Sequence, residues 1–190
     1  MCERLSASPC DKPENPAAEE KLWHAMRATY GRALKAREYL DGKGIRSFVP
    51  MRYEAGRQGM RGAKRLVPVM PNIIFVYAAQ SVLQQAKLKA EYLQYMTNSR
   101  TGEKIIVPEK DMKRFIAVCG TLDEHLLWLG EDTLQLERGQ YVRVTGGPFK
   151  GQEGVLLKVK GARDKRVVVA IKGVMAVALA SVPPQLIEEL

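Results

Sequence analysis

The side chains with most to say about chemistry are few. His24 sits in an alternating apolar run, Leu22-Trp23-His24-Ala25-Met26-Arg27, and His125 in an acidic stretch; neither has a nucleophile motif nearby, and the scattered carboxylates show no spacing that would pair them. Cys2, Cys10 and Cys119 form no C-x-x-C and have no accompanying histidine, so neither a zinc site nor a disulfide framework is expected. The glycine-rich stretch from Thr145 to Gly154 invites comparison with a phosphate-binding loop. It lacks the Gly-Lys-Ser/Thr ending, and no helix follows to aim its N-terminus at a phosphate. The chain therefore reads as a non-enzyme with no catalytic residue, metal or cofactor.

What remains is charge. The net charge of +9 is concentrated in residues 21 to 78, which carry twelve basic and three acidic groups. Such a face draws in polyanions in a salt-dependent way, although the same charges serve equally as a solvated surface. Arg57, Arg61, Lys64 and Arg65 crowd into or beside a loop with three glycines, the expected tip of a basic hairpin. No run approaches the roughly 18 apolar residues of a membrane span, and the first twenty residues lack the apolar core of a signal peptide. A cytoplasmic location is expected, with no membrane contact.

The elements that must position these residues follow from periodicity. Residues 1–20 read as a disordered leader. Then come a strand over Leu22 to Arg27 and a helix from Gly31 to Gly42. A strand follows from Ile45 to Tyr53, whose Pro50 marks an edge or bulge. Leu66 to Val69 and Ile73 to Tyr77 are two short strands. The second is apolar on both faces, so one face needs a helix or a partner over it. Ser81 to Tyr92 reads as a helix with Ser81 as N-cap and Val82, Leu83, Ala86 and Ala90 as its buried stripe. Lys104 to Val107 is a strand, and Pro108 to Cys119 a helix with Met112, Phe115, Ile116 and Cys119 on one face. Residues 120–138, with five acidic groups, read as a linker with a loosely packed segment around Leu126 to Leu129.

From Gly139 the pattern is all β until the last few residues, where helical spacing returns. Four strands fit: Gln140 to Val144, Gly154 to Lys160, Arg166 to Ile171 and Val174 to Leu179, the spacing of a small barrel. Val167 to Ile171 is rich in β-branched residues, which favours strand over helix there. Gly147, Pro148, Gly151 and Gly154 build the tight turn between the first two strands, with Phe149 at its apex.

Gly139-x-x-Val142-x-Val144-x-x-Gly147-Pro148-Phe149-x-Gly151-x-x-Gly154 resembles the KOW motif. The preceding Trp23, Gly44-Ile45, Phe48-x-Pro50 and Met70-Pro71-Asn72-Ile73-Ile74-Phe75-Val76 resemble an NGN domain. Together, in that order, they resemble the NusG family of transcription elongation factors across residues 21 to 190. Asn72, the Thr101 to Pro108 segment and the Val144 to Phe149 form of the motif are most similar to specialised RfaH-like members, in particular the UpxY antiterminators of Bacteroidales polysaccharide operons. The fold implied is α+β: an NGN domain at 21–119, a four-stranded antiparallel sheet flanked by helices, then a linker at 120–138 and an SH3-like KOW β-barrel at 139–190.

The resemblance also implies partners. RNA polymerase, through its clamp helices, would be met by Met70, Pro71, Asn72, Ile73 and Phe75 with Tyr77 beside them, and a second contact would involve Ser81, Gln84 and Gln85. Non-template DNA or leader RNA would meet Tyr30, Arg32, Lys35 and Tyr39, which offer cations for phosphates and rings for bases; Arg57, Arg61, Lys64 and Arg65 would face duplex DNA. The KOW domain would take a ribosomal protein or Rho, and a monomer is expected. The function implied is suppression of pausing or termination. Two alternatives stay open on the residues alone: a KOW-type RNA-binding or ribosome-associated protein, and a housekeeping NusG-type factor acting with Rho.

Overall fold

The alternating run that opens at Leu22 is strand β1 (Leu22–Ala28), the centre of the first sheet. This computed structural model describes residues 19–55, 64–130, 139–159, 163–179 and 182–190; the expected leader up to residue 18, and Arg57 and Arg61, lie outside them. After β1 come α1 (Ala33–Asp41), β2 (Arg46–Phe48), β3 (Met51–Ala55), β4 (Lys64–Pro68), β5 (Ile73–Ala78), α2 (Gln80–Leu88), β6 (Leu93–Tyr95), β7 (Ile106–Val107) and α3 (Glu109–Gly120). β1 pairs antiparallel with β5, and β5 with β2. The other edge of β1 is shared end to end by β6, opposite Met26 to Ala28, and β7, opposite Trp23 and His24.

The expected single strand from Ile45 to Tyr53 is broken at Pro50, which has no N–H to continue a ladder. β2 stays in the sheet, whereas β3 leaves it to form a hairpin with β4, Tyr53 opposite Leu66. The two apolar faces of β5 are covered from both sides by helices. Ile74 and Val76 pack with Leu40 of α1 and Leu83 and Ala86 of α2. Ile73 and Phe75 pack with Met112, Phe115 and Cys119 of α3. Of the two covers that β5 required, the chain supplies its own.

The second half is one antiparallel sheet in the order β13-β9-β10-β11-β12-β8, with β8 (Leu127–Gly130), β9 (Gln140–Val144), β10 (Glu153–Lys158), β11 (Lys165–Ile171), β12 (Met175–Ala178) and β13 (Ile187–Glu189). Four of these strands lie where alternation put them. The segment read as loosely packed around Leu126 to Leu129 is instead β8, Leu129 opposite Ala176 and Trp128 opposite Val177, with Leu126 and Leu129 buried. Its Leu-Leu-Trp-Leu run has a two-sided surface to bury, and pairing with β12 removes it from water. The last residues are not helical beyond the short 3-10 turn Pro184–Leu186; β13 pairs with β9.

α3 lies between the two halves, and its one buried stripe, Met112, Phe115, Val118 and Cys119, meets both. The Phe115 ring stands edge-on to Phe75 at 5.8 Å, Phe48 at 6.4 Å and Trp128 at 6.5 Å, so one side chain ties the first sheet to β8. Arg114, one position earlier, donates to the Tyr141 hydroxyl at 2.7 Å and pairs with Glu153, whose other oxygen accepts from Arg143 at 2.7 Å. The apolar core accordingly runs from Trp23 and Phe75 through α3 to Val142, Val167 and Val177. No helix among the described residues is long and apolar enough to cross a membrane.

His24 is the one buried polar residue among those described, 1% exposed, with neither ring nitrogen hydrogen-bonded in normal geometry. Its ring stands edge-on to Tyr95 at 5.8 Å. Burial is the main cause of its lowered pKa; the nearby Ala78 backbone opposes the shift and Lys104 adds to it. The folded value lies below the unfolded value of about 6.5, so the contribution of neutral His24 to stability is complete above that pH and is lost as pH falls through the folded value. Two outcomes are expected in urea unfolding. Midpoints decline below about pH 6.5, ahead of carboxylate titration, and His24→Gln flattens that decline. Phe115→Ala costs about 3–5 kcal/mol at neutral pH, as for a fully buried ring.

Candidate nucleic-acid and partner interface

The residues offered for nucleic acid gather around the turn between β1 and α1. Backbone bonds pin this turn from two sides. The Thr29 amide and hydroxyl both donate to the Tyr92 carbonyl, at 2.8 and 3.3 Å, while Ala28 N–H donates to Asn72 and Ala33 N–H to Pro71. Between the pins, Tyr30 is forced to φ 59° and ψ 34°, and Gly31 follows at φ 68°. A left-handed conformation suits Gly31 but costs a tyrosine about 1–2 kcal/mol. The Tyr30 ring is 88% exposed. The Arg32 guanidinium lies 5.3 Å from that ring and 5.6 Å from the Tyr92 ring, bridging the two tyrosines. Together with Thr29, Leu88, Lys89, Glu91 and Gln94 they line an open cleft of about 500 Å³.

Lys35 is exposed on α1. Tyr39 is not at the cleft: its hydroxyl donates to the Ala86 carbonyl at 3.0 Å and fastens α1 to α2. Lys64 is paired with Glu124, and Arg65 lies 4.0 Å from Glu54, so both cations at the described end of the hairpin have acidic neighbours.

The residues offered for polymerase divide by depth. Met70 and Asn72 are half-buried and Pro71 exposed in the turn leading to β5, while Ile73 and Phe75 are buried beneath α3. Tyr77 is half-buried at the rim, its ring 5.3 Å from Trp23. Arg46, which periodicity did not single out, lies 5.3 Å from Trp23 and 6.0 Å from Tyr77. Ser81, Gln84 and Gln85 are exposed on α2. Ser81 is inside the helix, after Ala79 at the N-cap; its amide donates to the Glu19 carboxylate at 3.1 Å, and bonds from Ser81 hold that carboxyl below its usual range.

Tyr92 and Gln94 were missed because the stripe Leu83, Ala86, Ala90 continues in helical register past the true end of α2. The chain turns at Leu88, with Lys89 N–H donating to Ala86 and Leu93 N–H to Ala90, so that β6 can pair with β1. A signal was present: Leu93-Gln94-Tyr95 alternates, and the longer helical period overrode it.

In the turn between β9 and β10, Gly147 and Gly151 have φ 76° and 83°, where a side chain would be strained. Gly151 N–H donates to Val144 and Val144 N–H to Gln152, closing the loop. Phe149 folds back from the apex and is buried with Val142, Val144 and Val167, whereas Pro148 stays exposed. Gly154 is required by proximity, because a Cβ there would stand 2.5 Å from the Val168 carbonyl oxygen on β11.

Residues 138–169 match the KOW motif. The match spans β9, this turn, β10 and most of β11. Across the whole fold, the chain is similar to a solved structure of Thermotoga maritima NusG described for its domain interaction, at 19% identity and a TM-score of 0.46, covering 90% of this chain and 98% of that one. No curated protein sequence matches. Within the KOW segment, Gly154→Ala is expected to cost about 1–3 kcal/mol by thermal unfolding, since backbone must move to admit the methyl. Gly120→Ala, with open space around its Cβ, should shift stability by less than about 1 kcal/mol.

Proposed function

We propose that the chain is a NusG-type transcription elongation factor, a specialised antiterminator of the UpxY kind, that binds RNA polymerase through its first sheet and suppresses pausing or termination in a surface-polysaccharide operon. The observation that carries this reading is order: NGN-like residues from Trp23 to the Met70 to Val76 stretch, followed by residues that match the KOW motif. In this reading residues 21–119 are the NGN domain and 139–190 an SH3-like KOW barrel. The protein acts in the cytoplasm as a binding protein.

The physical case for docking rests on the rim. Met70, Pro71 and Tyr77 offer partly exposed apolar surface, and Arg46 stacked on Trp23 and Tyr77 adds a cation with its aliphatic stem and planar head already held. Ile73 and Phe75 support that rim from beneath. A clamp helix carrying acidic and apolar residues suits such a surface. In this reading the cleft at Tyr30 and Arg32, with Lys35 nearby, takes exposed single-stranded nucleic acid, and the surface of the KOW barrel not packed on α3 takes a ribosomal protein or Rho.

Capture of purified RNA polymerase on the immobilised protein tests the docking surface. Met70→Glu and Tyr77→Ala are each expected to weaken capture at least tenfold, the cost of losing one central contact, with the circular-dichroism spectrum unchanged. Wild-type capture by both variants overturns the assignment.

A further inference from the structure

The short stretch between α3 and β8 is shaped by its own hydrogen bonds. Thr121 Oγ1 donates to the Val118 carbonyl at 2.8 Å, and the Leu122 amide donates to Cys119 at 3.2 Å. Leu122 then takes φ 50°, a left-handed conformation that few residues other than glycine adopt. The Asp123 carboxylate turns back to accept from the His125 amide at 2.8 Å and lies 3.0 Å from the His125 Nδ1, while the Leu126 amide donates to the Asp123 carbonyl at 3.2 Å. Asp123 is thereby engaged within its own turn. Glu124 is the carboxylate left to reach outward.

It reaches Lys64, 60 residues earlier in the chain, at the start of β4. Arg52, Tyr53 and Lys64 of the β3–β4 hairpin face Asp123, Glu124 and Trp128 across a cleft of about 210 Å³. The two paired side chains are 58% and 51% exposed, so water screens their attraction and the pair adds little to stability. A bond that cheap to break is also cheap to exchange. Arg52 and Arg65 lie 3.9 and 4.0 Å from Glu54, a carboxylate that the hairpin itself carries. Among the described ion pairs of the hairpin, only Glu124 comes from elsewhere in the chain. A phosphate of a polyanion and the Glu124 carboxylate would need the same ammonium, and each offers it a charge-assisted hydrogen bond.

We infer that Glu124 is a built-in competitor of the basic hairpin: it occupies Lys64 where a phosphate of a nucleic-acid duplex would otherwise sit, so that the duplex and the α3–β8 segment exclude each other from that ammonium. The inference rests on the reading of the hairpin as the element that faces a duplex, and adds a regulation to it. The coupling is reciprocal. Whatever draws the α3–β8 segment off the hairpin raises its affinity for the duplex, and the bound duplex frees the segment by the same factor.

Fluorescence anisotropy with the full chain at low salt tests it, using a labelled DNA duplex about 20 base pairs long, two helical turns. Glu124→Gln keeps the side chain's length and removes its charge. It is expected to bind about threefold more tightly than wild type, the scale of one exposed ion pair, while melting within a few degrees of wild type. In a Lys64→Gln background the same substitution gains nothing, because the ammonium it would free is gone. A parallel RNA duplex distinguishes the source of the phosphates. Equal affinity of wild type and Glu124→Gln overturns the proposal and leaves the duplex reading of the hairpin intact. So does a gain of equal size in both backgrounds, which makes Glu124 a diffuse negative charge rather than a competitor for Lys64. Failure of wild type and Glu124→Gln alike to bind either duplex overturns the duplex reading as well.

Discussion

The packing of one α3 stripe against both sheets is the constraint on which the rest of the structure depends. A helix with one apolar stripe can serve one layer. α3 serves two, because Phe115 is long enough to touch Phe48 and Phe75 on the first sheet and Trp128 on β8. Its neighbour Arg114 adds direction. Apolar contact tolerates sliding, whereas the guanidinium has fixed donors, and these meet Tyr141 and Glu153 on adjacent strands. These five partners are spread along the chain from Phe48 to Glu153, so their meeting defines the fold more narrowly than any local preference does.

This arrangement decides what each face of the first sheet leaves exposed. Ile73 and Phe75 lie under α3, and what the first sheet leaves accessible there is a rim of Met70, Pro71, Tyr77 and Arg46. The opposite face of the sheet lies beneath α1 and α2, so the outward features on that side come from loops between elements. The cleft of Tyr30 and Tyr92 is such a feature: two turns brought together by strand pairing, one of them strained. Loops held by a rigid scaffold are where binding groups can be exposed without loss of the core.

Legibility in the sequence followed the range of the interactions. β1, β5, α1, α3 and the four strands after Gly139 were readable because period and burial agree within each, as in Val142 and Val144 of β9. The turn around Gly147 to Gly154 was readable because its glycines answer a local need. What escaped depended on distant partners. Leu126 to Leu129 has no decisive period of its own and becomes a strand through β12; Leu93 to Tyr95 does so through β1. Tyr30 and Arg32 could be chosen as aromatic and cation from their types, but Tyr92, sixty residues on, joins them only through the Thr29 hydrogen bonds. Tyr39 is indistinguishable from Tyr30 by type, and only the structure shows its hydroxyl bonded to the Ala86 carbonyl between α1 and α2.

β8 has a mechanical meaning. With Leu127 already committed to the second sheet and Gly120 still in α3, the chain between them is Thr121 to Leu126. Fully extended, six residues reach about 20 Å. While β8 stays paired to β12, the two halves are therefore on a short leash, and neither can diffuse far from the other. Each half that lets go finds its partner again at a local concentration in the millimolar range, set by the tether rather than by the amount of protein in solution.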